Sequence, residues 1–117
     1  MLVFIAQGSV AMFNHIRKLF QYILIRLRLR TIVSAAITES WPKVRVKTAG
    51  LTKLAAYDYV GRCSAATVHR QVELLMRRNP AIDGIVANVL IVKASERVSR
   101  QLLRKVASES RGMRRAA

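Results

Sequence analysis

The side chains best suited to chemistry sit in one run, CSAATVHRQVELL, from Cys63 to Leu75. Thr67 offers a hydroxyl that can bond a base or a phosphate. Arg70 offers a fork that fits guanine O6 and N7. Gln71 matches the donor–acceptor edge of adenine, and Ala66 is slim enough for its methyl to meet a thymine methyl in the major groove. At 100° per residue, Ala65, Val68, Val72 and Leu75 share one face of a helix. Ala66, Thr67, Arg70, Glu73 and Arg77 lie opposite, with Gln71 on the flank. A helix that reads DNA needs this division. An ordinary amphipathic helix with its polar side in water has it too, so the spacing alone does not separate them.

Charge favours the first reading. The chain has 117 residues with 21 Lys and Arg against 6 Asp and Glu, a net +15. Such an excess repels itself unless a polyanion is near, which makes nucleic acid the default partner. The excess is spread out: residues 1–50 carry 8 basic and 1 acidic side chain, residues 51–110 carry 10 and 5, and residues 111–117 carry 3 and none. This spread fits a DNA-binding domain with basic flanks. It also fits an RNA-binding structural protein of the ribosomal kind, or a basic peripheral membrane or phage accessory protein.

Other chemistry has less support. The single cysteine, Cys63, cannot form an internal disulfide, which suits a reducing, cytoplasmic setting. It reads as a small residue packed in a turn rather than a redox sensor. His15 and His69 lack Cys or His neighbours at ligand spacing, so no metal site is expected. The acidic residues are scattered singly, and no phosphate loop or nucleophile–base set stands out. The expectation is therefore a non-enzyme without catalytic residues or cofactors. The opening MLVFIAQGSVAMFNHI has no basic residue before its apolar run, unlike a secretory signal. Gln7 and Gly8 interrupt it, and it is shorter than the roughly 20 residues of a membrane helix. No stable membrane insertion is expected.

These residues must be positioned by the elements around them. Ile16, Leu19, Phe20, Ile23, Leu24 and Leu27 fall at spacings of three and four, which predicts helix over much of Met12–Ile37. ESWPKVRVKTAG reads as a connector, because Pro42 disfavours helix at Trp41, with a short strand where Val44 and Val46 alternate with cations. Leu51–Val60 reads as a short helix, Gly61 as a turn, and Ser64 as the N-cap of a new helix ending near Arg78 at Asn79-Pro80. Asp83-Gly84 is a tight-turn signal. Ile85–Lys93, IVANVLIVK, is rich in β-branched residues and predicts a strand. Ser95 then caps a last helix striped by Val98, Leu102 and Val106, and the chain ends in a basic tail.

In this order, CSAATVHRQVELL resembles the recognition helix of winged helix-turn-helix regulators. VLIVKASERVSRQLL, Val89 to Leu103, is similar to the last wing strand and following helix of MarR-like regulators. The likeness covers roughly residues 44–106 and implies a sequence-specific, usually dimeric transcriptional regulator. Three features depart from it. Gly61 and Val68 are seven apart, one more than usual, which lengthens the turn. AIDGIVAN is a short, nearly uncharged wing. Glu73 lies on the face meant for DNA.

The expected fold is mainly α with a small β wing, a winged helix-turn-helix with helical N- and C-terminal extensions. Residues 1–40 form an apolar and basic helical segment for dimerisation, 41–107 the DNA-binding domain, and 108–117 the tail. Double-stranded DNA and a second copy are the expected partners, and the nucleoid the expected location. Ala66, Thr67, Arg70 and Gln71 would read bases. Lys43, Arg45, Lys47, Lys53, Arg62, Ser64, Arg77 and Arg78 would hold phosphates. One continuous helix through Gly61–Ser64 would exclude this arrangement.

Overall fold

In a computed structural model, whose backbone is described for residues 2–116 and whose side chains for 12–112, the chain forms three helices. They are α1 (Leu2–Thr48), α2 (Lys53–Arg78) and α3 (Gly84–Ala116). Short turns reverse the chain twice, so α2 runs antiparallel to α1 and α3 returns parallel to it. The pairs Trp41–Lys105 and Arg45–Glu109 keep one offset, as parallel neighbours must. Each helix packs on the other two. Thr52 caps α2, its hydroxyl accepting from the Ala55 N–H at 3.3 Å. Asn79 ends α2, its N–H donating to the Leu75 carbonyl. Asp83 starts α3, its carboxylate accepting from the Ile85 N–H at 3.3 Å and its carbonyl from the Ala87 N–H at 3.0 Å.

The core is aliphatic and small. Leu29, Ile32, Val33, Ala36 and Val44 of α1 meet Ala56, Val60, Val68 and Val72 of α2 and Ala87, Leu90, Ala94, Val98 and Leu102 of α3. Alanines and the buried Ser40 and Ser64 let the backbones approach closely. Trp41 is half-buried between α1 and α3, with the Lys105 ammonium 5.2 Å from its ring centre.

The expected winged fold is overturned at three places. Among the described residues there is no strand and hence no wing. Ile85–Lys93 lies inside α3. Its β-branched residues lose less than about 0.7 kcal/mol each in a helix. Ala87, Leu90, Ile91 and Ala94 recur at three and four, and burying a side chain such as Leu90 yields about 1.5–3 kcal/mol. Burial decides. Ser95 accordingly sits within α3 rather than capping it, and α3 continues through the expected tail to Ala116.

The second correction is at Pro42, which lies inside α1 rather than in a connector, and Val44–Lys47 is helical. Proline in a helix interior costs about 3 kcal/mol, because it has no N–H for the carbonyl four residues back, here Thr38. Val44 and Thr48 are buried only if the helix continues. The Thr48 hydroxyl also donates to the Val44 carbonyl at 2.6 Å.

The third is Gly61–Ser64. One helix runs through it, and no glycine there takes a positive φ. The helix-turn-helix expected across Gly61–Ser64 is therefore absent, replaced by continuous helix. Ser64 is not an N-cap: it is fully buried, and its hydroxyl donates to the Val60 carbonyl at 2.6 Å.

Candidate functional site

The side of α2 read as polar is a helix–helix seam. Ser64, Thr67, Val68 and Val72 are buried, and Gln71 and Leu75 half-buried, so the packed face is turned toward Thr67 and Gln71 and leaves Ala65 exposed. The Ser40 hydroxyl donates to Thr67 Oγ1 at 2.8 Å, and Thr67 Oγ1 donates to the Cys63 carbonyl at 2.7 Å. The Gln71 amide donates to Glu39 Oε2 at 3.1 Å, and Arg70 pairs with Glu39 Oε1. A polar network thus ties α1 to α2. Of the four expected base readers, only Ala66 is exposed without such a tie.

The expected phosphate contacts divide between the ends of the bundle. Lys43, Lys47 and Lys53 are exposed near the α1–α2 turn. Arg77 and Arg78 are exposed at the far end of α2, about 37 Å from Lys53 at 1.5 Å per residue. Arg45 pairs with Glu109 at 3.0 Å and Arg62 with Asp58 at 2.8 Å. Both pairs are well exposed and worth at most about 1 kcal/mol, so either arginine is free to exchange its partner. His69 lies 3.4 Å from Glu73, and Cys63 is half-buried and unbridged. Among the described residues no three His, Cys, Asp or Glu side chains cluster to hold a metal, and no helix is long and apolar enough to cross a membrane.

A different set of cations is brought together on α3. Lys93, Arg97, Arg100, Arg104 and Arg111 are spaced four, three, four and seven apart, which places them on one stripe. All five are exposed, and among the described residues none makes an ion pair. The stripe is about 27 Å long. Glu96 borders it, and Glu109 is held by Arg45. Beside the stripe, Arg97 and Lys105 face Arg30 across a groove between α1 and α3, floored by Val33 and Ile37 and edged by Ser34, Thr38 and Gln101. No acidic residue lines this groove.

Sequence reasoning gave Lys93 to a strand and Arg111 to a tail, and so saw only Arg97, Arg100 and Arg104 on the last helix and did not single them out. The signal was available: basic residues recurring at four and three through a segment whose apolar residues recur likewise. Electrostatically the stripe and groove can hold a line of phosphates, and no carboxylate lines the groove to repel them. Comparison with known protein-family models, with curated proteins and with solved structures gives no match for this chain.

Proposed function

We propose that the protein binds nucleic acid by its phosphate backbone, through the α3 stripe and the adjoining α1–α3 groove. The observation that carries this reading is the alignment of Lys93, Arg97, Arg100, Arg104 and Arg111 on one exposed, unpaired face of a chain of net charge +15. A row of exposed cations bordered by a single acid, Glu96, matches a polyanion, and each phosphate neutralised releases counterions. Sequence reading by α2 is not part of the proposal, since Thr67, Arg70 and Gln71 are bonded to α1 or to their own helix. The binding is therefore tolerant of sequence, and its natural setting is the cytoplasm.

The test is the salt dependence of binding to a duplex DNA and to a folded RNA. Replacing Arg97, Arg100 and Arg104 by Gln should flatten the slope of log K against log salt by about 0.9 per lost contact on duplex DNA, and by a similar fraction on RNA. Affinities for unrelated duplexes of equal length should agree. An unchanged slope in the triple variant would remove the stripe from the interface. A strong preference for one duplex would point back to base reading.

A further inference from the structure

We infer that the projecting half of α1 is an in-plane anchor for an anionic lipid surface. This inference stands on different residues from the α3 stripe, although the line of the apolar strip runs on into the α1 edge of the groove at Arg30, Ser34 and Thr38.

Packing places α1's apolar residues on two sides. Ile25, Leu29, Ile32, Val33 and Ala36 face α2 and α3. Met12, Phe13, Ile16, Leu19, Phe20, Ile23 and Leu27 lie on roughly the opposite side, at 100° per residue. Their exposure runs from 48 to 67%, although they are as apolar as the core. Residues 12–20 extend past the bundle, where no other helix can cover them. The outer face is also bounded. Beyond Leu27 the same line continues as Arg30, Thr31, Ser34 and Thr38, all exposed. The apolar strip from Met12 to Leu27 is therefore about 22 Å long.

Charge selects its occupant. No acidic residue precedes Glu39, while Arg17, Lys18, Arg26, Arg28 and Arg30 lie along the same segment. On the helical wheel Arg17 borders one edge of the apolar strip and Arg26 the other. A second copy laid against this face would bring two sets of cations together with no acid to pair them. Nucleic acid would match the cations but leave the phenyl and aliphatic groups unsatisfied. An anionic bilayer satisfies both. Phe13, Phe20 and the aliphatic residues enter the acyl boundary, and the long basic side chains reach to the headgroup phosphates. Arg17 and Lys18 interrupt the apolar sequence, and no described helix is long and apolar enough to cross a membrane, so the helix lies in the surface plane. Because residues 12–20 extend past the bundle, an arm bound in this way reaches the surface without displacing α2 or α3.

Co-sedimentation of the 117-residue chain with vesicles tests this. The vesicles are phosphatidylcholine alone, or phosphatidylcholine mixed with phosphatidylglycerol. Partitioning should be strong on the mixed vesicles and weak on the neutral ones. The double variant Phe13→Ser/Phe20→Ser keeps the charge and alters only exposed positions. It should lose at least about tenfold in partitioning to mixed vesicles. Its thermal melt, followed by circular dichroism, should match the parent. The Arg97→Gln/Arg100→Gln/Arg104→Gln variant should retain most vesicle binding while its nucleic-acid salt slope falls, so the two interfaces fail separately. Equal vesicle binding by the parent and Phe13→Ser/Phe20→Ser would overturn the proposal, since charge alone would then suffice. So would a parent that ignores vesicles but sediments as a dimer that the same variant dissociates. Binding of an acidic helical peptide in place of vesicles would overturn it as well.

Discussion

Leu29, Ile32, Val33 and Ala36 in one half of α1 and Ile16, Leu19, Phe20 and Ile23 in the other are equally fit for a helical core. The first set is buried and the second lies open. Helix propensity does not distinguish them, and neither does hydropathy. The difference is that α2 and α3 reach only the first half. The chain turns back at Ala49–Thr52 and again at Asn79–Asp83, and α3 begins beside the middle of α1. Apolar spacing along a helix thus reports that a face wants cover, and not what covers it. In the buried half the cover is the chain's own helices. In the open half, with cations alongside and no acid, the cover we propose is an anionic surface.

The sharpest way to break this comparison is to truncate one residue in each half and follow chemical denaturation. Leu29→Ala removes a buried side chain and should cost about 2–5 kcal/mol, whereas Phe20→Ala should shift stability by no more than about 0.5 kcal/mol. Similar costs at both sites would mean that the arm folds back onto the bundle. A smaller effect, opposite in sign, is expected at Pro42. Pro42→Ala restores the N–H that the Thr38 carbonyl lacks and should stabilise by about 1–3 kcal/mol. In a connector the same change would be neutral or harmful, so a loss of stability would show that the buried half of α1 ends before Val44. The smallest effect is at Gly61. An added Cβ there meets nothing within 4 Å, and φ is not positive. Gly61→Ala should therefore stabilise by about 0.5–1 kcal/mol, measured as a raised denaturation midpoint with unchanged m value. A loss would restore the turn that the helix-turn-helix reading needed.

Much of the local structure was legible in the residues. The three-and-four spacing from Ile16 to Leu27 marked α1, and Asn79-Pro80 marked the end of α2. The misreadings share one cause. Pro42, Gly61 and the β-branched run after Gly84 are each local arguments against helix worth about 0.7–3 kcal/mol. Each is outweighed by apolar burial that begins on both sides of it. The candidate site suffered more. Thr67, Arg70 and Gln71 have the side chains of base readers, but Ser40 and Glu39 of α1 take up their hydrogen bonds, and nothing in CSAATVHRQVELL discloses those partners. Conversely the α3 stripe was written in the sequence, but the strand assignment cut off Lys93 and the tail assignment Arg111, and the arginines between them were passed over.

Composition alone determined that this chain carries a large positive charge with enough aliphatic side chains for a core, and its spacing determined where helices are favoured. Which faces became seam, which became surface, and which cations ended unpaired was decided only by the tertiary structure. The physical reason is that a side chain's charge and hydropathy are its own, whereas its burial and its hydrogen-bond partners belong to whatever the fold places beside it.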